Sequence, residues 1–312
     1  MEHVKMSLKT TKTWCLRLLP VVLFFVSYYC SYVFQRYGAA MEAPARLLLR
    51  ARPCVVAGCH RRSGRALTLK LLLLKVLAVV ANYKMPANIE NLECRTCVVI
   101  GNGYAIKNSS LGGVINKYDV VIRLNDAPVK GYEDDVGNKT TMRLFYPESA
   151  SYNPGLHNEP DTLMVLIPFK QQDLRWLKEI LYDEKRVRKG FWKPPPQIWL
   201  GSTSHIRVLD PHFLLETSNT LLQIPLNPKN KQKLVHPTTG IIAVFVALNY
   251  CDVVHIAGFG YPVAKNQKHP IHYYGYDTMK SMKNSYHDVN NEAEALRRLE
   301  DSGAIVYLHA HS

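Results

Sequence analysis

Apolar residues are distributed along this chain in two different ways. Leu18 to Phe34 is an almost unbroken apolar run of seventeen residues, with no charge inside it. From about Leu92 onward, short β-rich apolar runs alternate with longer amphipathic stretches. The first pattern predicts a membrane span: seventeen residues is the lower limit for crossing a bilayer, and Trp14 to Leu16 lengthens it. Tyr28, Tyr29 and Tyr32 stand where an interfacial aromatic belt belongs. Lys5, Lys9, Lys12 and Arg17 precede the run and put the N-terminus in the cytosol. The run is longer than a signal-peptide core and no small-x-small site follows promptly, so an uncleaved anchor is favoured over a cleaved signal. The organisation expected is a tail over 1–13, an anchor over 14–34, a stem over 35–91 and a folded domain over 92–312. Within the stem, Leu67 to Ala81 is apolar but carries Lys70 and Lys75, which predicts an amphipathic or buried helix and not a second span.

The second pattern predicts five buried strands: Cys97–Gly101, Val120–Leu124, Thr162–Pro168, Val253–Gly258 and Ala304–Leu308. Helices are predicted over Gln171–Tyr182, Pro211–Leu222, Gly240–Leu248 and Asn291–Asp301. Continuous apolar strands alternating with helices predict a Rossmann-like α/β/α sandwich with a mostly parallel sheet. In such folds ligands bind at the carboxyl ends of the strands, so the chemistry should follow the strands.

The chain has 312 residues and a formal net charge of +14. A basic surface suits nucleic acid, anionic lipid or a sugar nucleotide, and charge alone does not choose. The seven cysteines are Cys15, Cys30, Cys54, Cys59, Cys94, Cys97 and Cys251. Cys94-Arg-Thr-Cys97 has the spacing of a zinc or redox pair, but no second ligand pair follows it, which favours disulfides.

Several motifs follow the predicted strands, and each has a plain structural reading beside the functional one. Gly101-Asn102-Gly103 lets the backbone approach a phosphate or ribose, or simply makes a turn. Asn125 ends the second strand on the same sheet edge as Asn102; two converging amides read a nucleotide, or one caps a loop. Pro237-Thr-Thr-Gly240 opens a helix whose first N–H groups bind an anion or are merely capped. Ala257-Gly-Phe-Gly260 is a ligand-side gap or a tight turn. His272-Tyr-Tyr274 and His287-Asp-Val-Asn-Asn-Glu292 place histidines before the last helix, where one serves as a general base near neutral pH. The chain lacks an Asp-x-Asp pair, and Glu133-Asp134-Asp135 is contiguous acid, so metal clamping of a diphosphate is disfavoured. Asn108-Ser-Ser110 and Asn138-Lys-Thr140 are glycosylation sequons, of which Asn108 is the better candidate.

In order and spacing these motifs resemble the animal sialyltransferase family. A long donor motif runs from Cys97-Val-Val-Ile-Gly-Asn-Gly to Tyr146-Pro-Glu148. A short one runs from Pro237-Thr-Thr-Gly to Gly258-Phe-Gly-Tyr261, and His272-Tyr-Tyr-Gly275 and His287 with Glu292 follow. Phe145-Tyr-Pro-Glu-Ser-Ala150 and Gly190-Phe-Trp-Lys193 resemble the beta-galactoside alpha-2,3-sialyltransferases, closest to the type four branch. The resemblance implies a variant glycosyltransferase-A fold and an inverting, metal-independent transfer of sialic acid from CMP-sialic acid to the 3-hydroxyl of galactose-terminated glycans. It implies a single-pass type II protein of the Golgi membrane with a lumenal catalytic domain, and sets nucleic acid aside as a partner. It further implies that Asn102 and Asn125 contact CMP, that Gly240 and Gly260 line its pocket, that His272 meets the phosphate, that His287 is the base, and that Cys97 pairs with Cys251. The partner of Cys94 stays open between Cys54 and Cys59. The alternative reading is a catalytically impaired lumenal protein that binds the CMP-sugar and carries an atypical stem.

Overall fold

The structure is a computed structural model that describes residues 60–80, 85, 87–224, 235–260, 269–278, 280 and 286–310. The expected anchor and most of the expected stem lie outside the described residues. No helix among the described residues is long and apolar enough to cross a membrane. The chain divides into two units, Met1–Gly64 and Arg65–Ser312.

The second unit is built on a seven-stranded sheet: β1 (Thr96–Ile100), β2 (Val120–Leu124), β3 (Met142–Phe145), β4 (Leu163–Leu166), β5 (Ile206–Val208), β6 (Val253–Ala257) and β7 (Val306–Tyr307). The strand order is β5-β4-β3-β2-β1-β6-β7, and every pairing is parallel. The chain steps outward from β1 through β5, then returns to lay β6 on the other side of β1. That reversal makes a switch point between β1 and β6, where the loops leaving the two strands diverge and a crevice opens.

The strands are apolar on both faces, as a sheet covered twice requires. Cys97 and Val99 of β1 face one core, with Ile122, Leu144, Val165 and Ile256. Val98 and Ile100 face the other way, with Val121 and Ala257. This period of two divides the protein into three layers. Five helices matter here: α1 (His60–Val79), α2 (Gln171–Leu181), α3 (Pro211–Glu216), α4 (Thr239–Tyr250) and α5 (Val289–Asp301). On the first face, α4 buries Ile241 through Ala247 and α5 adds Ala295 and Leu296. The opposite layer has two parts. Helical turns at Gly112–Ile115 and Glu133–Val136 cover its centre. Around Phe145, Met164 and Leu166, Leu174, Trp176 and Leu177 of α2 pack together with Val76 of α1 and Val80 just after it.

All five predicted strands and four predicted helices form. α4 starts where Thr238 in extended backbone accepts from the Ile241 N–H at 3.2 Å. α2 is capped by Asp173, whose carboxylate accepts from the Lys170 N–H at 3.0 Å. Beyond the predicted elements are β3 and β5, and a stretch of π-helix at Thr217–Leu221 that follows α3 inside the predicted Pro211–Leu222 helix. The predicted Leu67–Ala81 helix forms and begins earlier, at His60. Since Val76 and Val80 belong to the sheet's own core, the compact unit reaches upstream of the boundary at 92 read from the sequence. The disulfide implied for Cys97 and Cys251 is present, with their Cα atoms 6.0 Å apart. It is possible because β1 and β6 are neighbours and both cysteines stand at the sheet's amino-terminal edge. Cys94 is exposed and pairs with no other cysteine among the described residues; its expected partners, Cys54 and Cys59, lie outside them.

Candidate active site

A cleft of ≈ 1570 Å³ opens at the carboxyl edge of the sheet. Asn102, Asn125, Gly240, Gly260, His272 and His287 all line it, so residues far apart in sequence share one cavity.

The loop after β1 sits directly against the loop after β6. The Gly103 N–H donates to the Gly258 carbonyl at 2.7 Å. A Cβ on Gly101 would stand 2.3 Å from that same carbonyl oxygen. The glycines flanking Asn102 are therefore demanded by backbone approach between two loops, which is the plain reading of that motif. Asn102 itself faces the cleft and donates from Nδ2 to the Tyr274 hydroxyl at 3.1 Å. Gly260 has a left-handed φ of +111 and open space where a Cβ would be. It keeps that wall free of side chains in a conformation other residues resist.

Asn125 also takes a left-handed conformation, with φ 55, which asparagine tolerates better than most residues. Its Oδ1 accepts from Ser149 at 2.9 Å, and its backbone carbonyl accepts from Arg143 at 2.9 Å. Arg143 is buried and also holds the carbonyls of Ala127 and His157. Its in-register neighbour Arg123 is buried too, bonded to the carbonyls of Val136 and Gly137. Burial pushes both guanidinium groups down to about 10. Arg143 holds the loop that carries Asn125, and Arg123 holds the segment that leads into β3; an arginine inside a short strand gave no sign of that in the sequence.

His272 lies antiparallel to Gly103, and its ring stacks on Tyr274 at 5.3 Å with 11° between planes. Burial lowers its pKa, against the opposing pull of Asp277 and Asp126. Across the cleft, the Nδ1 of exposed His287 lies 2.8 Å from the His236 carbonyl oxygen. The His236 N–H in turn donates to the Tyr286 carbonyl at 2.7 Å. A carbonyl only accepts, so the proton of neutral His287 resides on Nδ1 and Nε2 keeps its lone pair. The His236 pKa is lowered, first by burial and then by His287 and Lys170.

Glu292 is buried and spans two elements. Its carboxylate accepts from the Thr238 N–H at 2.7 Å and the Thr238 hydroxyl at 2.6 Å. Burial raises its pKa to about 7, against the lowering effect of those bonds. The first turn of α4 lines the cleft through Thr239 and Gly240, and helix N-termini favour anions. Lys170, Asp173, Tyr146, Phe169 and Trp192 complete the far wall. None of these five was singled out by sequence reasoning, although Tyr146 and Trp192 lie within motifs. Among the described residues, no group of three or more His, Cys, Asp or Glu side chains is placed to hold a metal ion. Asp135 of the acidic run accepts from the Asn108 and Ser110 N–H groups at 2.8 and 3.0 Å.

Comparison with known proteins places this arrangement. Residues 61–304 match the profile of glycosyltransferase family 29 (sialyltransferase). The rat CMP-N-acetylneuraminate-beta-galactosamide-alpha-2,3-sialyltransferase 4 is 57% identical over 234 residues, which is 75% of this chain and 70% of that one. The human type 2 lactosamine alpha-2,3-sialyltransferase is 46% identical over 221 residues, 70% of this chain and 66% of that one. The crystal structure of a mammalian sialyltransferase superposes with a TM-score of 0.63 at 28% identity, covering 77% of this chain and 78% of that one. A second crystal structure, of a mammalian sialyltransferase in complex with Gal-beta-1-3GalNAc-ortho-nitrophenol, gives 0.62 at 28% identity, covering 77% and 79%.

Proposed function

The chain belongs to glycosyltransferase family 29, the sialyltransferases, and from that premise we propose that it transfers sialic acid from CMP-sialic acid to the 3-hydroxyl of a terminal galactose, with His287 as the general base. The observation that carries the assignment of the base is the bond between His287 Nδ1 and the His236 carbonyl. It leaves Nε2 unprotonated in the neutral ring, on a side chain that lines the cleft and stays open to solvent. The alpha-2,3 linkage rests on the relatives' activity and on 57% identity to one of them.

At the donor end, Asn102 and Asn125 serve the CMP moiety. Asn125 spends its carbonyl oxygen on Ser149, so its amide nitrogen is the group offered to the nucleotide. Gly240 and Gly260 bound the pocket. His272 and the N–H groups at the start of α4 meet the phosphate, which carries less charge than a diphosphate and is met by hydrogen-bond donors. At the acceptor end, the galactose O3 attacks C2 of the sialyl group as the bond from C2 to the phosphate oxygen breaks. The bonding pair leaves with CMP, the O3 proton passes to His287 Nε2, and the anomeric centre inverts. General-base assistance of this kind is worth ~10²–10⁴ in rate, and positioning supplies much of the remainder.

The apolar run Leu18–Phe34 with cations before it supports a type II anchor, and with it a Golgi lumenal site of action. The experiment is incubation of the full-length chain with CMP-sialic acid and a panel of galactose-terminated acceptors, followed by linkage analysis. An alpha-2,3-linked product supports the proposal. CMP binding without transfer supports the alternative of a nucleotide-sugar-binding protein that does no chemistry.

A further inference from the structure

The wall of the cleft opposite the donor loops contains an ion cluster with no part in the proposed transfer. Lys170 follows β4, and its ammonium pairs with Glu148 Oε1 and lies 3.6 Å from Asp173 Oδ1. Both carboxylates are buried: Glu148 is 1% exposed and Asp173 0%. Glu148 Oε2 and Asp173 Oδ1 accept no hydrogen bond. Lys170 is different, because about a third of its side chain remains exposed (34%) and it lines the cleft. Its ammonium also lies 5.0 Å from the Phe191 ring centroid. One cation is thus held from behind by two sunken carboxylates and an aromatic face, and its outward side is left for a ligand.

The cluster stands at the end of the cleft where the base is. The Phe169 ring packs edge-on against His236 at 6.4 Å and against Tyr146 at 5.8 Å. The His236 carbonyl is the group that fixes His287, and the Lys170 charge is felt at the His236 ring. β4 is three strands away from β1, which leads into Asn102, and two from β2, which leads into Asn125. The cluster's charge also favours one kind of ligand. Burial raises the Asp173 carboxyl to about 7, against the lowering pull of Lys170. The Lys170 ammonium is offset by the carboxyl groups packed against it. That suits an uncharged polyol and gives no advantage to the anionic donor.

We infer that Lys170, fixed by Glu148 and Asp173, is an acceptor-binding residue whose ammonium donates to a hydroxyl of the terminal galactose other than O3 and so orients O3 toward His287. This deepens the proposed function and rests on it. A charged donor to a sugar hydroxyl is worth about 10–100-fold in affinity.

The test is steady-state kinetics of the full-length chain with a galactose-terminated disaccharide and its 2-, 4- and 6-deoxygalactose analogues. Lys170→Met is expected to raise the acceptor KM about 10-fold or more while leaving the CMP-sialic acid KM within about twofold. One deoxy analogue should be poor for the parent chain and no worse than the full sugar for Lys170→Met. Because Lys170→Met strands two buried carboxylates, the triple variant Lys170→Met, Glu148→Gln, Asp173→Asn removes the whole ion cluster and is read in the same way. Deoxy penalties that persist unchanged in these variants, or a loss confined to kcat, overturn the assignment. So does failure of both variants to fold, which would make the cluster a structural brace. If the parent chain transfers to no galactoside at all, the proposed function fails and this inference falls with it. If the parent transfers normally and the deoxy pattern ignores Lys170, only this inference falls.

Discussion

Glu292 accepts two hydrogen bonds from Thr238, one from its backbone N–H at 2.7 Å and one from its hydroxyl at 2.6 Å. Thr238 caps α4, whose first turn faces the cleft, and Glu292 lies in the first turn of α5, five residues after His287. A single buried carboxylate therefore ties the anion-favouring helix start to the segment that carries the proposed base. Its part is to hold these two elements together, and the base in the proposed mechanism is His287.

That tie has a pH dependence with a definite sign. The Glu292 carboxyl is raised from its ordinary value of 4.5 to about 7, chiefly by burial. A folded-state pKa above the unfolded one contributes stability that is complete below the unfolded value and is lost as pH rises through the folded value. The window therefore runs from about pH 4.5 to about 7, and the contribution is on the order of 3 kcal/mol. Asp173 is raised in the same direction. Thermal unfolding between pH 5 and 8 is expected to show falling stability as pH rises, with a shallower slope in Glu292→Gln. An unchanged slope would mean that Glu292 does not titrate in this window.

The disulfide joins β1 to Cys251, two residues before β6, across 154 residues of sequence. On the chain-entropy account, a loop of that length contributes about 5 kcal/mol, comparable with the net stability of many domains, ~5–15 kcal/mol. Cys97→Ser and Cys251→Ser are each expected to abolish export of active protein from the endoplasmic reticulum. Non-reducing peptide mapping of the parent chain should recover the two cysteines linked. Active protein in which both thiols alkylate without reduction would contradict this.

Much of the fold was legible in the chain, for physical reasons. β1 and β4 are apolar runs, β2 opens with three apolar residues before Arg123, and β6 is apolar but for His255; glycine, asparagine or proline follows each of the four closely, so both their existence and their carboxyl ends could be read. β3 could not, because Arg143 interrupts Met142-Arg-Leu-Phe145; its charge is tolerated only because carbonyls from Leu124 to His157 converge on it. β5 is a three-residue strand on the sheet edge. Asn102, Asn125 and Gly260, which line the cleft, sit just past strand ends, where the sequence could point to them. It could not point to the far wall, because Lys170 and Asp173 look in sequence like the polar start of a surface helix. Only the fold buries Glu148 beneath them. His236 shows no role in the sequence, since its contact with His287 comes from a backbone carbonyl, which no side-chain motif encodes.

Glycosylation follows from the surface. Asn108 is exposed in a left-handed turn with φ 62, held by Asp135. In the second sequon Asn138 is also exposed, but the Thr140 hydroxyl is buried and accepts from Arg123 at 2.9 Å. Glycosidase treatment of protein from secretory cells is expected to shift its mass by one N-glycan, and Asn108→Gln should remove that shift. A shift that survives Asn108→Gln would assign the glycan to another site.

Metal chelation addresses the donor end. In the proposed mechanism His272 and the start of α4 meet a monophosphate leaving group, so EDTA is expected to leave transfer within about twofold of the untreated rate. Activity lost to EDTA and restored by Mn²⁺ would require a different donor site.

The central claim is that His287 removes the acceptor proton, and its most direct test is a comparison of His287→Ala with the parent chain. Transfer to a galactose-terminated acceptor and CMP affinity are measured on the same preparations. The expected result is a loss of kcat of ~10²–10⁴, with CMP affinity within about threefold of the parent because the donor end is untouched. Turnover within tenfold of the parent, or a CMP affinity that falls in step with turnover, would contradict the assignment of His287 as the base.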